Sequence, residues 1–245
     1  TKISGMKNYI LLCIVLMVGS SVCAQRDDIV LTKEKKEYAF NSIKELKDGA
    51  MVVRLKTNQR KIEIIERNLR NTKLSKGQRK RQAAILAGTL QRRDEFNEAI
   101  GAMFLDSFDF CPVYLMYDTC SRALNKGVRE GLFLGKNKEV DPSINIKEAN
   151  IFIVNYKERG AEFPYDVLRV RKLKEKLEDP FPYYVALRAS WINQINTPRA
   201  SRAVRHLNRK FYSFYRRALE YDEKMEERAA RNTEDKTVEP GQSEG

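Results

Sequence analysis

Apolar residues in the middle of the chain fall into six short runs with the composition of β-strands, one of which is the brief run at residues 131–134. Residues 50–56 have a β-branched centre, whereas residues 110–117 and 151–156 are apolar throughout, as in strands covered on both faces. Residues 166–171 alternate between apolar and polar side chains, and residues 183–187 follow a break at two prolines. Helical segments separate most of these runs. The pattern therefore predicts an α/β fold, in which helices flank a layered mixed sheet.

Apolar residues at helical spacing occupy the segments between these strands. They predict helices over residues 32–47 and 62–71. Ser75 and Gln78 form a capping-box pattern, which predicts the start of a long helix that reaches about Leu105.

The longest amphipathic pattern runs from Arg199 to Arg231 without Gly or Pro. Its apolar residues recur at alternating steps of three and four, which is the a/d seam of a heptad repeat. They are Val204, Leu207, Phe211, Phe214, Ala218, Tyr221 and Met225. We expect a long amphipathic C-terminal helix whose seam packs on the sheet, with pairing to another helix as the alternative.

Composition along the chain predicts the domain boundaries. No Pro/Gly/Ser-rich linker interrupts the chain between Ile29 and Arg231, so we predict a single α/β domain over residues 25–231. Residues 232–245 contain four acids and one lysine, and we predict that they form a disordered acidic tail.

The first residues of the sequence have the three parts of an export signal. Lys7 follows Met6, the expected start, and residues 9–18 form an uninterrupted apolar run. Val22–Ala24 fits the small-x-small pattern that signal peptidase recognises, which predicts that residues 1–24 are a cleaved signal peptide. The apolar run is shorter than the about 20 residues that a membrane-spanning helix requires. We therefore expect no transmembrane span after cleavage.

Cys23 leaves a second outcome open, a lipoprotein acylated on that cysteine, and an uncleaved N-terminal anchor is a third. A lipobox favours Gly, Ala or Ser just before the cysteine, where this chain has Val22. The Ala24–Gln25 junction resembles the signal cleavage sites of exported proteins of Bacteroidota, and the rest of the chain resembles uncharacterised exported proteins of that group. This resemblance implies a periplasmic or secreted location and no particular activity.

The charge of the chain is strongly positive. It has 46 Lys and Arg residues against 33 Asp and Glu, a formal net charge of +13. Such a field favours anionic partners, and we expect an anionic surface or a protein partner in the envelope rather than nucleic acid. We assign an anion-binding role to eight basic residues: Arg79, Lys80, Arg81, Arg202, Arg205, Arg209, Lys210 and Arg216.

Several kinds of catalytic site have no motif in this sequence. His206 is the only histidine, so a zinc site with several histidines is impossible. The sequence contains no C-x-x-C, P-loop, G-x-G-x-x-G or G-x-S-x-G pattern. Asp118 follows a predicted strand and is expected to serve as a helix cap or turn residue. We therefore predict no catalytic residue, cofactor or metal ligand from motifs.

Two cysteines, Cys111 and Cys120, remain after removal of the signal peptide. An exported chain can oxidise such a pair, so one expectation is a disulfide between them. The alternative is two free thiols, because their spacing alone does not establish the geometry of a bridge.

Three functions remain open from the sequence. The first is an exported envelope or periplasmic protein, a non-enzymatic binding module with a basic anion-binding face. The second is an exported hydrolase with a carboxylate-based site, since such carboxylates need not be close in sequence. The third is a nucleic-acid-binding protein whose N-terminus only mimics a signal. It is favoured by the aromatic pairs Phe211–Tyr212 and Phe214–Tyr215 among basic residues.

Mass spectrometry of the protein recovered from its native host tests the predicted processing. Because cleavage is expected after Ala24, the N-terminal residue should be Gln25, cyclised or not. An intact N-terminus at Met6, or a diacyl adduct on Cys23, would contradict export as a soluble protein.

Overall fold

A computed structural model describes residues 32–157, 160, 166–187 and 197–237, with the side chains of the last helix described from 201 to 233. The predicted signal peptide and residues 238–245 lie outside the described residues. The helices are α1 (Lys33–Lys47), α2 (Gln59–Leu69), α3 (Lys76–Ser107), α4 (Ser121–Asn125) and α5 (Thr197–Thr237). The strands are β1 (Ala50–Leu55), β2 (Val113–Tyr117), β3 (Ile151–Lys157), β4 (Asp166–Lys172) and β5 (Tyr184–Leu187).

The five strands form one mixed sheet in the order β2-β1-β3-β4-β5. Strand β1 pairs in parallel with β2 on one side and with β3 on the other, whereas β4 and β5 pair antiparallel. Parallel neighbours require a crossover, and α2 and α3 provide the one between β1 and β2. The α/β fold with a mixed sheet is therefore confirmed.

One face of the sheet is covered by three helices. The apolar faces of α1, α3 and α5 meet the inward residues of the strands in the larger core cluster. The seam of α5 lies in this cluster: Val204, Leu207, Phe211 and Ala218 have no exposed surface, and Phe214 is also buried. The predicted packing of the C-terminal helix on the sheet of its own domain is confirmed.

The other face of β1, β2 and β3 is also apolar, which explains why these strands lack a polar face. Ala50, Val52 and Ile153 are buried there in a second, smaller cluster. The short helix α4 and the irregular segment 128–146 cover them through residues such as Leu124 and Phe133. A sheet buried on both faces needs apolar side chains at successive positions.

The C-terminal helix is longer than predicted. It continues to Thr237, so residues 232–237 are helical and do not belong to a disordered tail as expected. Of these six residues only Glu234 and Lys236 are strong helix formers, so helix propensity does not account for the extension. The buried part of the seam is shorter than predicted, because Tyr221 and Met225 are only half-buried and residues 226–233 are exposed.

Cys111 and Cys120 are free thiols in the structure, so the expected disulfide is not formed. Strand β2 lies between them and spans about 16 Å, more than the about 7 Å that a bridge tolerates between Cα atoms. Cys111 belongs to the larger core cluster, whereas Cys120 packs against the smaller one on the opposite face. Burial raises the pKa of the Cys111 thiol to about 12, so it stays protonated and unreactive.

Among the described residues, no helix combines the length and the apolar character needed to cross a membrane. Helices α3 and α5 exceed 18 residues, but charged side chains interrupt both.

Leu207→Ala tests the anchoring of α5. Leu207 has no exposed surface, so its truncation should lower the free energy of unfolding by about 2–5 kcal/mol. Leu219 lies on the same helix and is 40% exposed, so Leu219→Ala should change stability by less than about 0.5 kcal/mol. Urea unfolding followed by circular dichroism gives both values. Equal effects for the two variants would contradict the packing described here.

Candidate functional site

The basic face of α5 lies opposite its buried seam. Arg202, Arg205, Arg209 and Arg216 are exposed, because the heptad places the seam residues against the sheet and these arginines outside it. Lys210 is half-buried, with its Nζ 6.0 Å from the ring centre of Tyr184. Four of the five basic residues predicted on this helix are therefore open to solvent.

The second predicted group lies in the first turns of α3. The capping box is present: the Oγ of Ser75 accepts from the backbone N–H of Gln78 at 3.3 Å, and the Ser75 N–H donates to Gln78 Oε1 at 2.9 Å. It fixes the start of the helix just before Arg79, Lys80 and Arg81, which are all exposed. Buried residues of α3 begin only at residue 89, so this first part of the helix carries its charges away from the core.

The two groups do not form one face. An α-helix rises about 1.5 Å per residue, so about 40 Å of α3 and its C-cap separate Arg81 from Phe108. Helix α5 contacts the far end of α3, where the backbone N–H of Phe110 donates to Asn208 Oδ1 at 3.2 Å. Phe108 also meets Phe211 edge to face. The single basic face expected from the sequence is therefore two separate basic surfaces.

None of the eight predicted basic residues forms an ion pair with an acid in the described part of the chain. The acids of α5 that do pair are Asp222, 2.8 Å from Lys44, and Glu227, 3.7 Å from Arg231. Both lie beyond the basic segment of the helix. The charges on the two surfaces are therefore available to an external anion.

His206 lies within the basic segment of α5 and is exposed. Its pKa is lowered by desolvation and further by the charges of Lys210 and Arg209. The imidazole therefore stays neutral at physiological pH and adds no charge to the surface.

A groove of about 1130 Å³ lies beside the carboxyl ends of β1 and β2, and the sequence pattern did not single it out. Its lining combines basic, hydroxyl and carboxylate side chains. They include Arg54, Thr57, Lys61, Glu63, Arg67 and Asp118. Two features could have indicated it: Arg54 is the only charged residue of its strand, and Asp118 follows a strand directly.

The two carboxylates of the groove serve local hydrogen bonds. Asp118 Oδ1 accepts from the Thr57 hydroxyl at 2.6 Å and from the Thr57 N–H at 3.1 Å, which ties the end of β1 to the end of β2. Glu63 Oε1 accepts from Gln59 Nε2 at 2.8 Å, one turn away on the same helix. Asp118 thus has the turn-stabilising role expected of it, and neither carboxylate is positioned by these bonds as a general acid or base.

A row of arginines crosses the sheet on the face opposite to α1, α3 and α5. Side chains alternate along a strand, so Arg54 and Asn155 lie on the same face as the buried Val52 and Ile153. Arg169 pairs with Asn155 across β3 and β4, and Arg171 pairs with Ile153. Three basic side chains of β1 and β4 therefore share one face.

The electrostatic environment of this row is unfavourable for its charges. Desolvation, and then the charges of Arg54 and Arg169, lower the pKa of Arg171 below its usual value. The alternation of β4 alone predicts that Arg169 and Arg171 share a face, but their approach to Arg54 depends on the strand order. No motif reports that order.

The described residues contain no group of three His, Cys, Asp or Glu side chains placed to hold a metal ion. Comparison with protein-family models, with curated proteins and with solved structures finds no match for this chain.

Proposed function

We propose that this chain is an exported, non-enzymatic protein of the cell envelope that binds an anionic surface or partner through the basic face of α5. The export signal expected at the N-terminus supports the location. The binding proposal rests on four exposed arginines of this firmly packed helix, none of which pairs with an acid among the described residues: Arg202, Arg205, Arg209 and Arg216.

Helix stability does not explain this distribution of charge. The positive end of the helix dipole favours acids in the first turn, yet the first turn of α5 contains none. Arg202 and Arg205 follow within the next turns, while Glu223 and Glu226 lie toward the opposite, negative end. A requirement to meet an anion accounts for the placement of these arginines.

The basic surface on α2 and α3 supports an extended partner rather than a small ion. Nine basic residues and two acids lie between Arg60 and Arg81. This surface is far from the face of α5, so a single small anion contacts only one of them, whereas a membrane surface or an acidic glycan can engage both. Two weak contacts on one partner reinforce each other through effective concentration.

The nucleic-acid alternative loses its aromatic support. Phe211 and Phe214 are buried in the seam, so they cannot stack on bases. Tyr212 is 41% exposed, but its hydroxyl donates to the backbone carbonyl of Asp109 at 3.3 Å, which holds it against the domain. The charges alone remain, and they do not distinguish a nucleic acid from another polyanion.

The double variant Arg205→Gln/Arg209→Gln tests the proposed face. It should elute from heparin at lower salt than the wild type and sediment less with anionic vesicles, because two screened Coulomb contacts are lost. Both residues are exposed, so stability should change by less than about 0.5 kcal/mol. Heparin chromatography, vesicle sedimentation and thermal unfolding provide the three measurements.

Arg122→Gln/Lys126→Gln is the matched control. Both residues are exposed on or just after α4, which covers the other face of the sheet, and the change in net charge is the same. The control should elute close to the wild type. If the two double variants shift equally, binding follows net charge alone and the α5 face has no specific role.

A further inference from the structure

We propose that the sheet face opposite to α5 contains a phosphate-binding site formed by Arg54 of β1 and Arg171 of β4, with Asn155 on the strand that separates them. The ligand is a phosphate group on a small molecule or a lipid headgroup. This site does not depend on the proposed function of the basic face of α5, because the two lie on opposite sides of the sheet.

Strand register places the two arginines on either side of β3. Val53 pairs with Val154, which puts Arg54 level with Asn155, and Arg171 pairs with Ile153 two residues away. With strands about 4.8 Å apart and about 3.3 Å between residues, the Cα atoms of the two arginines lie about 12 Å apart. Both side chains are long enough to reach an anion held over Asn155.

Neither arginine has an acidic partner among the described residues, and each is half-buried. Lys172, the neighbour of Arg171 on the opposite face, shows the contrast: its Nζ lies 2.7 Å from Glu45 and 3.7 Å from Glu175. The positive charge of Arg54 also repels that of Arg171 across this partly desolvated face. Partly buried like charges destabilise a fold unless an anion compensates them.

Asn155 supplies an independent indication of a ligand. Its Oδ1 is buried and has no hydrogen-bond partner in the described part of the chain. An unpaired buried amide oxygen destabilises the fold, and a donor on a ligand would remove that cost. A ligand hydroxyl can donate to this oxygen, and in the flipped orientation the amide NH₂ can donate to a phosphate oxygen.

Arg54 also lines the groove, so one of the two arginines of the site is open to a ligand from that side. The position also fits the general location of ligands in open α/β sheets. Strands β1 and β3 are parallel neighbours, and the chain leaves β1 toward β2 but leaves β3 toward β4 on the other side. Ligands of such sheets bind at this divergence, outside the carboxyl ends of the strands.

Phosphate matches the donors better than a monovalent anion does. A guanidinium presents two parallel N–H groups to two oxygens of one oxyanion, and two arginines balance a phosphate dianion. Chloride satisfies neither the paired geometry nor the double charge. Inorganic phosphate at constant ionic strength, with chloride as the reference salt, is therefore the direct probe.

The experiment uses thermal unfolding and calorimetric titration of the full chain. Phosphate should raise the Tm of the wild type above its value in chloride, and Arg54→Gln or Arg171→Gln should weaken phosphate binding about tenfold or more. In phosphate-free buffer, Arg171→Gln should unfold at the same or a higher temperature than the wild type, because a like-charge contact is removed. A purely structural role predicts a lower Tm in both buffers.

Arg171→Lys is the second variant, should Arg171→Gln fail to fold. It keeps the charge but loses the paired N–H groups, so it should also bind phosphate more weakly. The variants Arg205→Gln/Arg209→Gln and Arg122→Gln/Lys126→Gln should both retain the phosphate response. Loss of heparin retention with an intact phosphate response thus separates the two proposals.

The source of the phosphate is distinguished by two further ligands. Glycerol phosphate should compete with inorganic phosphate if the ligand is soluble. Phosphatidylcholine vesicles should retain the protein in an Arg171-dependent manner only when they contain phosphatidic acid, if the ligand is a headgroup. Equal Tm values in phosphate and chloride for the wild type, or unchanged phosphate binding in both arginine variants, would overturn the proposal.

Discussion

The packing of the α5 seam against one face of the sheet determines which surfaces this protein can offer to a partner. Phe211 lies at the centre of this contact, with ring centres 6.0, 5.6 and 5.8 Å from those of Phe108, Phe110 and Phe181. Such contacts fix the rotation of the helix about its own axis. Once the seam faces inward, Arg202, Arg205 and Arg209 must face solvent. The same contact places α1 and α3 beside α5 over the sheet and leaves the opposite face to α4 and the segment 128–146.

The basic side chains of this protein lie in three different environments. Half-buried lysines such as Lys44 and Lys172 meet carboxylates within 2.8 Å, as expected where water cannot fully solvate them. Arg202, Arg205 and Arg209 of α5 are exposed, have no acidic partner among the described residues, and are solvated by water instead. Arg54 and Arg171 belong to neither class, because they are half-buried and lack an acid among the described residues. The exposed arginines of α5 therefore form an extended surface whose charges are screened by water and salt. Arg54 and Arg171, in contrast, form a local site at which their charges are only partly solvated.

Local sequence patterns predict the individual helices and strands, but they do not predict which side chains of different elements come close together. The capping box at Ser75, the apolar strand 151–156 and the α5 seam are local signals, and each is found where the sequence predicts it. The approach of Arg54 to Arg171 depends on the order of strands, which the sequence pattern does not contain. The disulfide expected between two cysteines failed for the same reason, since β2 places them on opposite faces. The helix continues beyond Arg231 through Asn232, Thr233 and Asp235, which are weak helix formers, so local propensity does not predict this extension.

We propose above that the exposed arginines of α5 are the residues that contact an anionic partner. Arginine footprinting with phenylglyoxal, in the presence and absence of heparin and mapped by mass spectrometry, tests it at single residues. Heparin should protect Arg202, Arg205 and Arg209 from modification, while exposed Arg122, on the other side of the sheet, should react at an unchanged rate. Equal protection of Arg122 and the α5 arginines, or no protection at any of them, would contradict it.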